Sequence, residues 1–425
     1  MTGRWAAVLV ALAGASQIEA RAQQAGPLPE VVDLGAVVRL AREVSPRLSV
    51  ERQAVAGAEA NVTIAGALPN PVLSYGRYRP IHNATTLFEG SRQEQGTIEL
   101  PLLIAGQRSA RVEKAERDLE AARARVASGA STLAAEAGSA FVALLAAQQR
   151  VALLSSAGDE LLRLRNLVAG REASGMASRY DVLRLEIEHA GLATKVEVAR
   201  ADVSDRSGNL AALLGLKNWR PKASGNLRPL PGELFDAKRG GALESPAVIL
   251  AGREEQAAQS AIELAQRERW PVPSVTAGRS WTSEPYGAAN FVGLSVEVPI
   301  FDSKRGQVAK AEAEARAATL KREIAVAETA ANLERLSGVI AKRQEALQRF
   351  TRDVAARLET LNTMAEDAYR LGRTSIFELL DSARSRHELR QTQIELVAGV
   401  VEAQLRFLAL KGDLDRVVSA GLVSR

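Results

Sequence analysis

Apolar and polar residues recur along the chain with two different periods, and each period predicts a different kind of element. Between 105 and 175 there is no proline, and apolar or small residues recur every three or four positions, which predicts long helix with a coiled-coil seam. The stretches 274–282 and 291–299 alternate at every second residue, which predicts strands. Less regular strands are expected near 72–79 and 94–100. The pattern therefore predicts long helices interrupted by pairs of strands.

A shorter helical pattern covers 34–68 and is expected to stop at Pro69-Asn70-Pro71, because proline cannot continue a helix. The tract over 105–175 is much longer, since roughly 70 residues of continuous helix at 1.5 Å each would reach about 105 Å. Alanine at many seam positions permits close packing and suits a wide ring of helices. An ordinary antiparallel coiled coil fits the same seam equally well.

The order helix, strand, strand, helix, helix occurs twice. Matching stretches are Ser45-Pro46 with Ser245-Pro246, IELP with VEVP, and the turn at Gly175 with the turn at Gly372. Their offsets lie between 197 and 200 residues, and the matches keep the same order. We therefore expect one architecture made twice, with repeat 1 at about 33–217 and repeat 2 at about 234–413.

The N-terminus has the features of an export signal over 1–22, with Arg4, an apolar run and an A-x-A cleavage site. Residues 23–425 would then form a single domain. No later stretch approaches 18 uncharged apolar residues, which argues against a helical membrane protein but leaves an outer-membrane barrel open. The chain has no cysteine, which excludes disulfides, thiolate metal sites and a lipid-modified N-terminal cysteine.

Charge and motifs exclude further classes of function. The formal net charge is +5, but the charges are interleaved along helices instead of clustered, so nucleic-acid binding is not indicated. The histidines His82, His189 and His387 are scattered, and neither H-E-x-x-H, G-x-S-x-G nor a glycine-rich phosphate loop occurs. We expect no enzyme activity, no cofactor and no resident metal site.

Aromatic residues concentrate in or beside the predicted strands although the chain is only 4% aromatic. They are Tyr75, Tyr78, Trp270, Trp281, Tyr286 and Phe291. This placement is typical of the girdles of a membrane barrel, although two soluble hairpins with buried aromatics would also produce it. Four strands cannot close a barrel, so two, three or four chains would have to pool 8, 12 or 16 strands, and the pattern alone does not choose among them.

Several quoted stretches carry a family resemblance: ALPNPVLSYG, IELPLLIAGQRSARVEKAE, VEVPIFDSKRGQVAKAEAEA and RLGRTS. Together with the doubled order of elements, they resemble the TolC family of outer-membrane factors, the exit ducts of tripartite efflux pumps and type I secretion systems. The resemblance covers nearly all of the chain after the signal. LPNP and PIFD are most similar to the heavy-metal efflux branch related to CzcC.

The resemblance implies a mainly α fold with β: a trimeric 12-stranded outer-membrane β-barrel, four strands per chain, continued by a long periplasmic α-helical barrel. It implies a passive duct for small solutes, in this branch divalent heavy-metal cations, supplied by an RND-type inner-membrane pump through a periplasmic adaptor. One alternative is export of drugs, solvents or a polypeptide. Another is a soluble periplasmic coiled-coil adaptor or structural protein, against which the two strand-preceded hairpins count.

Two acidic residues after the second turn are candidates for a gate. Glu378 and Asp381 lie three residues apart on one helix face, and in three copies they would form acidic rings that attract cations. The resemblance implies a periplasmic gate that also contains Asp181, Tyr369 and an arginine. The family's arginine position holds Thr374 here, so the arginine is taken as the adjacent Arg373. The alternative is a solvated helix start that the helix dipole favours.

The two turns themselves are expected to contact the adaptor. The residues concerned are Ser174, Gly175, Met176, Arg370, Leu371, Gly372, Thr374 and Ser375. Small residues let a partner helix approach closely, while serine and threonine cap the outgoing helix. Simple capping is an alternative that is compatible with adaptor contact.

Overall fold

A computed structural model describes residues 28–79, 92–236, 241–283 and 287–419 of the chain. The predicted signal over 1–22 lies outside these residues, as do His82 and Tyr286. The described part is mostly helical with a smaller share of sheet, as expected from the two periods of the sequence.

The helices and strands follow the doubled order. Helices are α1 (Leu34–Glu43), α2 (Pro46–Gly66), α3 (Gln107–Ala173), α4 (Arg179–Leu214), α5 (Pro246–Arg267), α6 (Arg305–Phe350), α7 (Ala356–Arg370), α8 (Ile376–Lys411) and α9 (Leu414–Ser419). Strands are β1 (Val31–Val32), β2 (Val72–Tyr78), β3 (Gln93–Pro101), β4 (Lys222–Ala223), β5 (Ser274–Thr282) and β6 (Gly287–Ser295). We call α3–α4 the first hairpin and α6–α8 the second hairpin.

The helix predicted over 34–68 is wrong as a single element, because it breaks into α1 and α2 at Ser45-Pro46. Proline lacks the N–H of a continuing helix and restricts the residue before it, but it is well tolerated as the first residue of a new helix. Ser245-Pro246 likewise begins α5. The repeated Ser-Pro pair therefore marks a helix start in both repeats.

Four strands form one antiparallel sheet in the order β2-β3-β5-β6. Each repeat supplies one β-hairpin, and β3 pairs with β5 to join them, with Gln93 opposite Thr282. β5 has the predicted bounds, whereas β6 begins and ends four residues earlier than the predicted 291–299. Ser295 pairs with Ser274, and the chain before Ser274 carries Pro271 and Pro273, which lack an N–H for further pairing.

Apolar side chains of this sheet are left uncovered within the chain. Adjacent residues Val72 and Leu73 are 52% and 82% exposed, so both faces of β2 are open. Exposed apolar side chains continue at Tyr75, Tyr78, Ile98, Leu100, Trp281, Val292 and Leu294. The outer strands β2 and β6 each have one paired edge in the described structure.

Gly278 gives room for an aromatic ring at the centre of the sheet. A Cβ atom at this position would lie 2.5 Å from the Phe291 ring and 2.8 Å from the carbonyl oxygen of Gly96. Real side chains do not tolerate such contacts, so close approach of ring and backbone requires glycine here.

The two helical hairpins contain the long helices that the sequence pattern predicts. α3 runs unbroken for 67 residues, while the corresponding tract of the second hairpin contains a π-helical segment, Thr351–Ala355, between α6 and α7. The returning helices α4 and α8 are each 36 residues long. Both end at a glycine with positive φ, Gly215 and Gly412, 197 residues apart.

The chain separates into two compact units, each built from both repeats. Unit 1 contains Met1–Pro46, Ala130–Arg239 and Leu333–Arg425, and includes the hairpin turns. Unit 2 contains Arg47–Gly129 and Gly240–Asn332, and includes the four-stranded sheet.

Unit 1 also contains small elements that the sequence pattern did not predict. β1 and β4 pair in parallel, and the indole N–H of Trp219 donates to the carbonyl of Pro29 at 2.9 Å. The buried amide of Gln404 bonds both backbone groups of Leu230, each at 2.9 Å. Strands of two residues are too short to show a period, which is why pattern reading misses them.

One described helix, α3, contains an 18-residue window long and apolar enough to cross a membrane by length and composition. No such stretch was predicted after the signal, so α3 is an exception to that prediction. Since 56% of the window is buried within the protein, its composition is also that of a core helix.

Candidate gate at the turns of the two hairpins

The first hairpin reverses direction at a glycine turn. Gly175 has φ +74°, and its N–H donates to the carbonyl of Glu172 at 2.9 Å. The N–H of Met176 donates to the carbonyl of Arg171 at 2.8 Å. Only a residue without Cβ takes this backbone conformation freely, so glycine defines the turn.

The second hairpin repeats this geometry 197 residues later. Gly372 has φ +71°, and its N–H donates to the carbonyl of Tyr369 at 3.0 Å. The N–H of Arg373 donates to the carbonyl of Ala368 at 2.8 Å. Each bond has its counterpart in the first turn at the offset predicted from sequence.

Both returning helices begin with a capping box. The hydroxyl of Ser178 accepts from the N–H of Asp181 at 3.2 Å, and the Asp181 carboxylate accepts from the N–H of Ser178 at 3.1 Å. Ser375 and Glu378 form the same reciprocal pair, each bond 3.4 Å long. Asp181 and Glu378 therefore each stabilise the start of their own helix.

Glu378 and Asp381 are both exposed in the single chain. The intervening Leu379 and Leu380 are buried on the opposite side of α8. The structure therefore places the two carboxylates on one uncovered face, as their spacing predicts. Glu378 remains exposed although its carboxylate accepts the capping bond from Ser375.

A compact apolar cluster joins the two hairpins just behind these turns. Its buried members are Leu161, Leu164, Val168, Val182, Leu185, Tyr369, Ile376, Leu379 and Leu380. They come from α3, α4, α7 and α8, so the cluster packs one hairpin against the other. Burial of this kind contributes about 1.5–3 kcal/mol for each large side chain.

Tyr369 is the member of this cluster that the family resemblance assigns to the gate. Its side chain is buried, and burial raises the pKa of its phenol, with a further increase from the negative charge of Asp181 and an opposing decrease from Arg171. Among the described residues the Tyr369 hydroxyl forms no hydrogen bond with Asp181. The two residues are thus close enough to interact electrostatically without a direct bond.

Arg171 provides the arginine contact to Tyr369. Its guanidinium carbon lies 5.3 Å from the centre of the Tyr369 ring. Its Nη1 donates to the carbonyl oxygens of Tyr369 at 3.2 Å and Arg370 at 2.7 Å. Sequence reasoning missed this residue, because residues 171–174 all differ from their counterparts at 368–371 and the pattern does not single out Arg171.

Arg373, the arginine chosen from sequence, is exposed and forms no side-chain hydrogen bond or ion pair within the described ranges. The structure therefore brings Tyr369 and Asp181 near each other, while the Arg373 side chain forms no bond to either of them among the described residues. The neighbouring Thr374 is half-buried, and its hydroxyl has no hydrogen-bond partner among the described residues.

The turn residues expected to meet an adaptor are accessible. Met176 and Leu371 are 64% and 66% exposed, and they protrude from the first and second turn respectively. Ser174, Gly175, Arg370, Gly372 and Ser375 are also exposed. The two turns therefore present exposed small and apolar side chains to a partner.

An aromatic pair connects the starts of the returning helices. The rings of Tyr180 and Phe377, equivalent residues of the two repeats, lie 6.2 Å apart, and the Arg184 guanidinium lies 5.2 Å from the centre of the Phe377 ring. Both rings are about half exposed. The two hairpins thus meet through repeat-equivalent side chains.

Further from the turns, charged pairs bridge the hairpins. Arg386 donates to Glu160, and both side chains are largely buried between α8 and α3. Nearby, Arg384 of α8 bonds Glu188 of α4. His387 lies 3.7 Å from Glu160, and burial and the charge of Arg386 lower its pKa to about 4.

Metal-ligating side chains do not cluster in the described ranges: no group of three or more His, Cys, Asp or Glu residues could hold an ion there. His189 is half-buried on α4, and His387 belongs to the ion-pair cluster above. The chemistry of the site is therefore that of charged and apolar contact between helices.

The sequence is similar to one protein family and to proteins of metal resistance. Residues 37–216 match the family model described as outer membrane efflux protein. The cobalt-zinc-cadmium resistance protein CzcC of Cupriavidus metallidurans is 26% identical over 379 residues, which is 87% of this chain and 86% of that protein. The nickel-cobalt-cadmium resistance protein NccC of Alcaligenes xylosoxydans xylosoxydans is 32% identical over 231 residues, 52% of this chain and 50% of that protein.

The fold is also that of a solved channel. CusC, whose crystal structures concern folding and transmembrane channel formation, superposes with a TM-score of 0.71 at 17% identity, covering 91% of this chain and 94% of that chain. The family resemblance drawn from the motifs and the expectation of a non-enzyme are both confirmed. By the family model matched over 37–216, by its relatives and by its fold, the chain is similar to the outer membrane efflux proteins, a family of TolC-type channels that conduct passively.

Proposed function

We propose that this chain is the outer-membrane exit duct of a tripartite efflux system and that it conducts divalent heavy-metal cations. The observation that carries the duct is the four-stranded sheet with exposed apolar faces and open outer edges, attached twice to a long helical hairpin. Open edges in lipid would leave backbone groups without partners, so the strands require neighbours from other chains.

Three chains would supply a closed barrel of 12 strands, and their hairpins would form the helical barrel below it. Residues 23–425 would act as one domain made of the two repeats, exported by a cleaved signal over 1–22. We expect the barrel itself to hold the mature chain in the outer membrane. The helical part would lie in the periplasm.

The metal substrate is supported by the relatives, since CzcC and NccC are both named as resistance proteins for divalent metals. Acidic rings of Glu378 and Asp381 would concentrate cations at the narrow end of such a duct. Together with Asp181, Tyr369 and Arg373, they would form the periplasmic gate. The duct itself needs no metal ligands, because ions pass through it without being held.

The exposed turns would contact the hairpins of a periplasmic adaptor, which links the duct to an inner-membrane pump of the RND type. Met176 and Leu371 provide apolar anchors, while Gly175 and Gly372 allow a partner helix to approach closely. A soluble periplasmic coiled-coil protein is the alternative of another class, and it would leave the apolar sheet without a function.

Deletion of the gene in its host tests the substrate. We expect growth to become sensitive to Zn, Co, Cd and Ni salts, with unchanged tolerance of dyes, detergents and antibiotics. Sensitivity to organic compounds alone would overturn the metal assignment and leave the duct standing. Recovery of the protein as a soluble monomer, instead of a heat-resistant oligomer in the outer-membrane fraction, would overturn the duct.

A further inference from the structure

Arg171 connects the last turn of α3 to the turn of the second hairpin. Its Nη1 bonds the carbonyl oxygens of Tyr369 and Arg370, residues 198 and 199 positions further along the chain. The guanidinium also stacks over the Tyr369 ring. One side chain of the first hairpin thus holds the backbone and a ring of the second.

The chemistry of the contact is favourable on both sides. The last carbonyl groups of a helix lack intrahelical donors and carry partial negative charge, so the end of α7 favours a cation with N–H donors. A planar guanidinium can donate to carbonyls and stack on a ring at the same time, which an ammonium cannot do.

The turn leaves room for this group. The position of a Cβ atom at Gly372 would be 3.8 Å from Nη2 of Arg171, so the guanidinium lies directly against the glycine turn. Arg171 is itself half-buried. The half-buried Arg171 lies against the Tyr369 ring, and the turn that it bonds is held by its own backbone bonds.

The contact occurs once per chain despite the repeat. The residue equivalent to Arg171 in the second hairpin is Ala368, which cannot return the interaction, and the residue equivalent to Tyr369 is Glu172. The first hairpin therefore holds the second through a polar contact that the repeat does not duplicate.

We propose that Arg171 is a positioning residue: a latch within each subunit that holds the turn of the second hairpin against the first hairpin. Loss of the latch frees the second turn, and with it the start of α8 that carries Glu378 and Asp381. The latch is a property of the single chain. Its effect on conduction rests on the proposed function.

Spin-label distances test the latch directly, because the natural chain has no cysteine and two introduced ones are the sole labelling sites. Labels at Met176→Cys and Leu371→Cys report the separation of the turns in detergent-solubilised full-length protein. Dilution with unlabelled protein removes distances between subunits. Both sites are exposed, which limits the disturbance from the label.

We expect Arg171→Ala to lengthen and broaden the distance distribution, and Arg171→Lys to give an intermediate result because it keeps the charge but loses the stacking. Arg179→Ala is the matched control. Arg179 is an arginine near the same turn, but it pairs at 3.8 Å with Glu172 of its own hairpin. A distribution in Arg171→Ala equal to those of wild type and Arg179→Ala would overturn the latch.

Conductance in planar bilayers separates the latch from the channel. If wild type forms small, rarely open channels and Arg171→Ala opens several-fold more often, the latch controls the gate. If the distances widen in Arg171→Ala but neither protein forms channels, the latch proposal is supported and the proposed function is contradicted. If wild type forms channels while the variant shows wild-type distances, the proposed function is supported and the latch proposal is contradicted.

Discussion

Lys304 and Gly106 occupy equivalent turns, each directly before a long helix and each with positive φ, +54° and +75°. Glycine takes this conformation without strain, whereas a residue with Cβ loses about 1–2 kcal/mol. The amide of Lys304 donates to Asp302 at 2.8 Å, which helps hold the turn in spite of that cost. The two repeats thus adopt the same turn conformation with different residues, glycine in the first and lysine in the second.

Replacing Lys304 by glycine should therefore stabilise the protein. Relief of strain exceeds the extra entropy of a glycine in the unfolded chain, so we expect a gain of up to about 1 kcal/mol. Thermal unfolding followed by circular dichroism measures it. Gly106→Ala is the reciprocal control and should destabilise by about 1 kcal/mol, since a Cβ there meets Ser109 and Arg267 only at ordinary distances of 3.4 Å or more and the penalty is in the backbone. A lower unfolding midpoint for Lys304→Gly would contradict the assignment.

His387 gives a second effect at the scale of one residue. In the folded protein its pKa is lowered to about 4 by burial and by Arg386, while in the unfolded chain it is near 6.5. Between these values the unfolded state binds more protons, so stability is lost as pH falls from about 6.5 to about 4. The loss from this residue is below about 3.5 kcal/mol, since one pKa unit corresponds to about 1.4 kcal/mol and partial exposure to solvent reduces the effect.

Denaturant unfolding across that pH range measures this dependence. We expect His387→Gln to remove most of the decline that is specific to the buried imidazole. His189→Gln, on the half-exposed histidine of α4, should retain the wild-type profile. Parallel pH profiles for wild type and His387→Gln would show that other groups cause the decline.

At the scale of elements, α3 and α8 are joined by the largely buried pair Glu160–Arg386. Removing one partner of a buried pair takes a compensating charge away from the other, which typically costs about 3–5 kcal/mol, whereas replacing both by apolar residues is often neutral. This pair therefore makes the packing of one hairpin on the other depend on charge as well as on apolar contact.

We expect Glu160→Leu to destabilise by about 3 kcal/mol and the double variant with Arg386→Leu to recover most of the loss. Equilibrium unfolding in urea tests both. The exposed pair Glu197–Arg200 on α4 is the control, and Glu197→Ala there should change stability by less than about 1 kcal/mol. A double variant no more stable than Glu160→Leu alone would contradict this account.

At the scale of the whole molecule, the carboxylates of Glu378 and Asp381 are expected to act through the assembled pore. Glutamine can still accept the capping bond from Ser375, so Glu378→Gln combined with Asp381→Asn removes charge while keeping the helix start. We expect cation-over-anion permeability to fall several-fold, as measured by reversal potentials in a salt gradient. The difference should shrink at 1 M salt, where screening acts within about 3 Å.

Ser375→Ala is the complementary control, because it breaks the cap and keeps both charges. It should cost about 1 kcal/mol of stability and leave ion selectivity unchanged. If Ser375→Ala alone abolished selectivity, the two carboxylates would matter as helix caps and not as pore charges.

Much of the candidate site was predictable because its turns are local structures. Glycine at 175 and 372, serine three residues later and an acid three residues after that specify a turn and a capping box from adjacent positions. The exposure of Asp381 follows from helical spacing. Arg171 was not predictable in this way, because its role depends on a carbonyl 198 positions further along the chain.

The sequence by itself determined the doubled order of elements, the periods of helix and strand and the glycine turns, because each depends on neighbouring residues and their backbone preferences. Only the tertiary structure decided that β3 pairs with β5, that β6 ends at Ser295, and that Arg171 and Arg386 join the two hairpins. These are contacts between distant segments, and periodicity along a chain shows which face of a helix is buried but not which residue of another helix it meets.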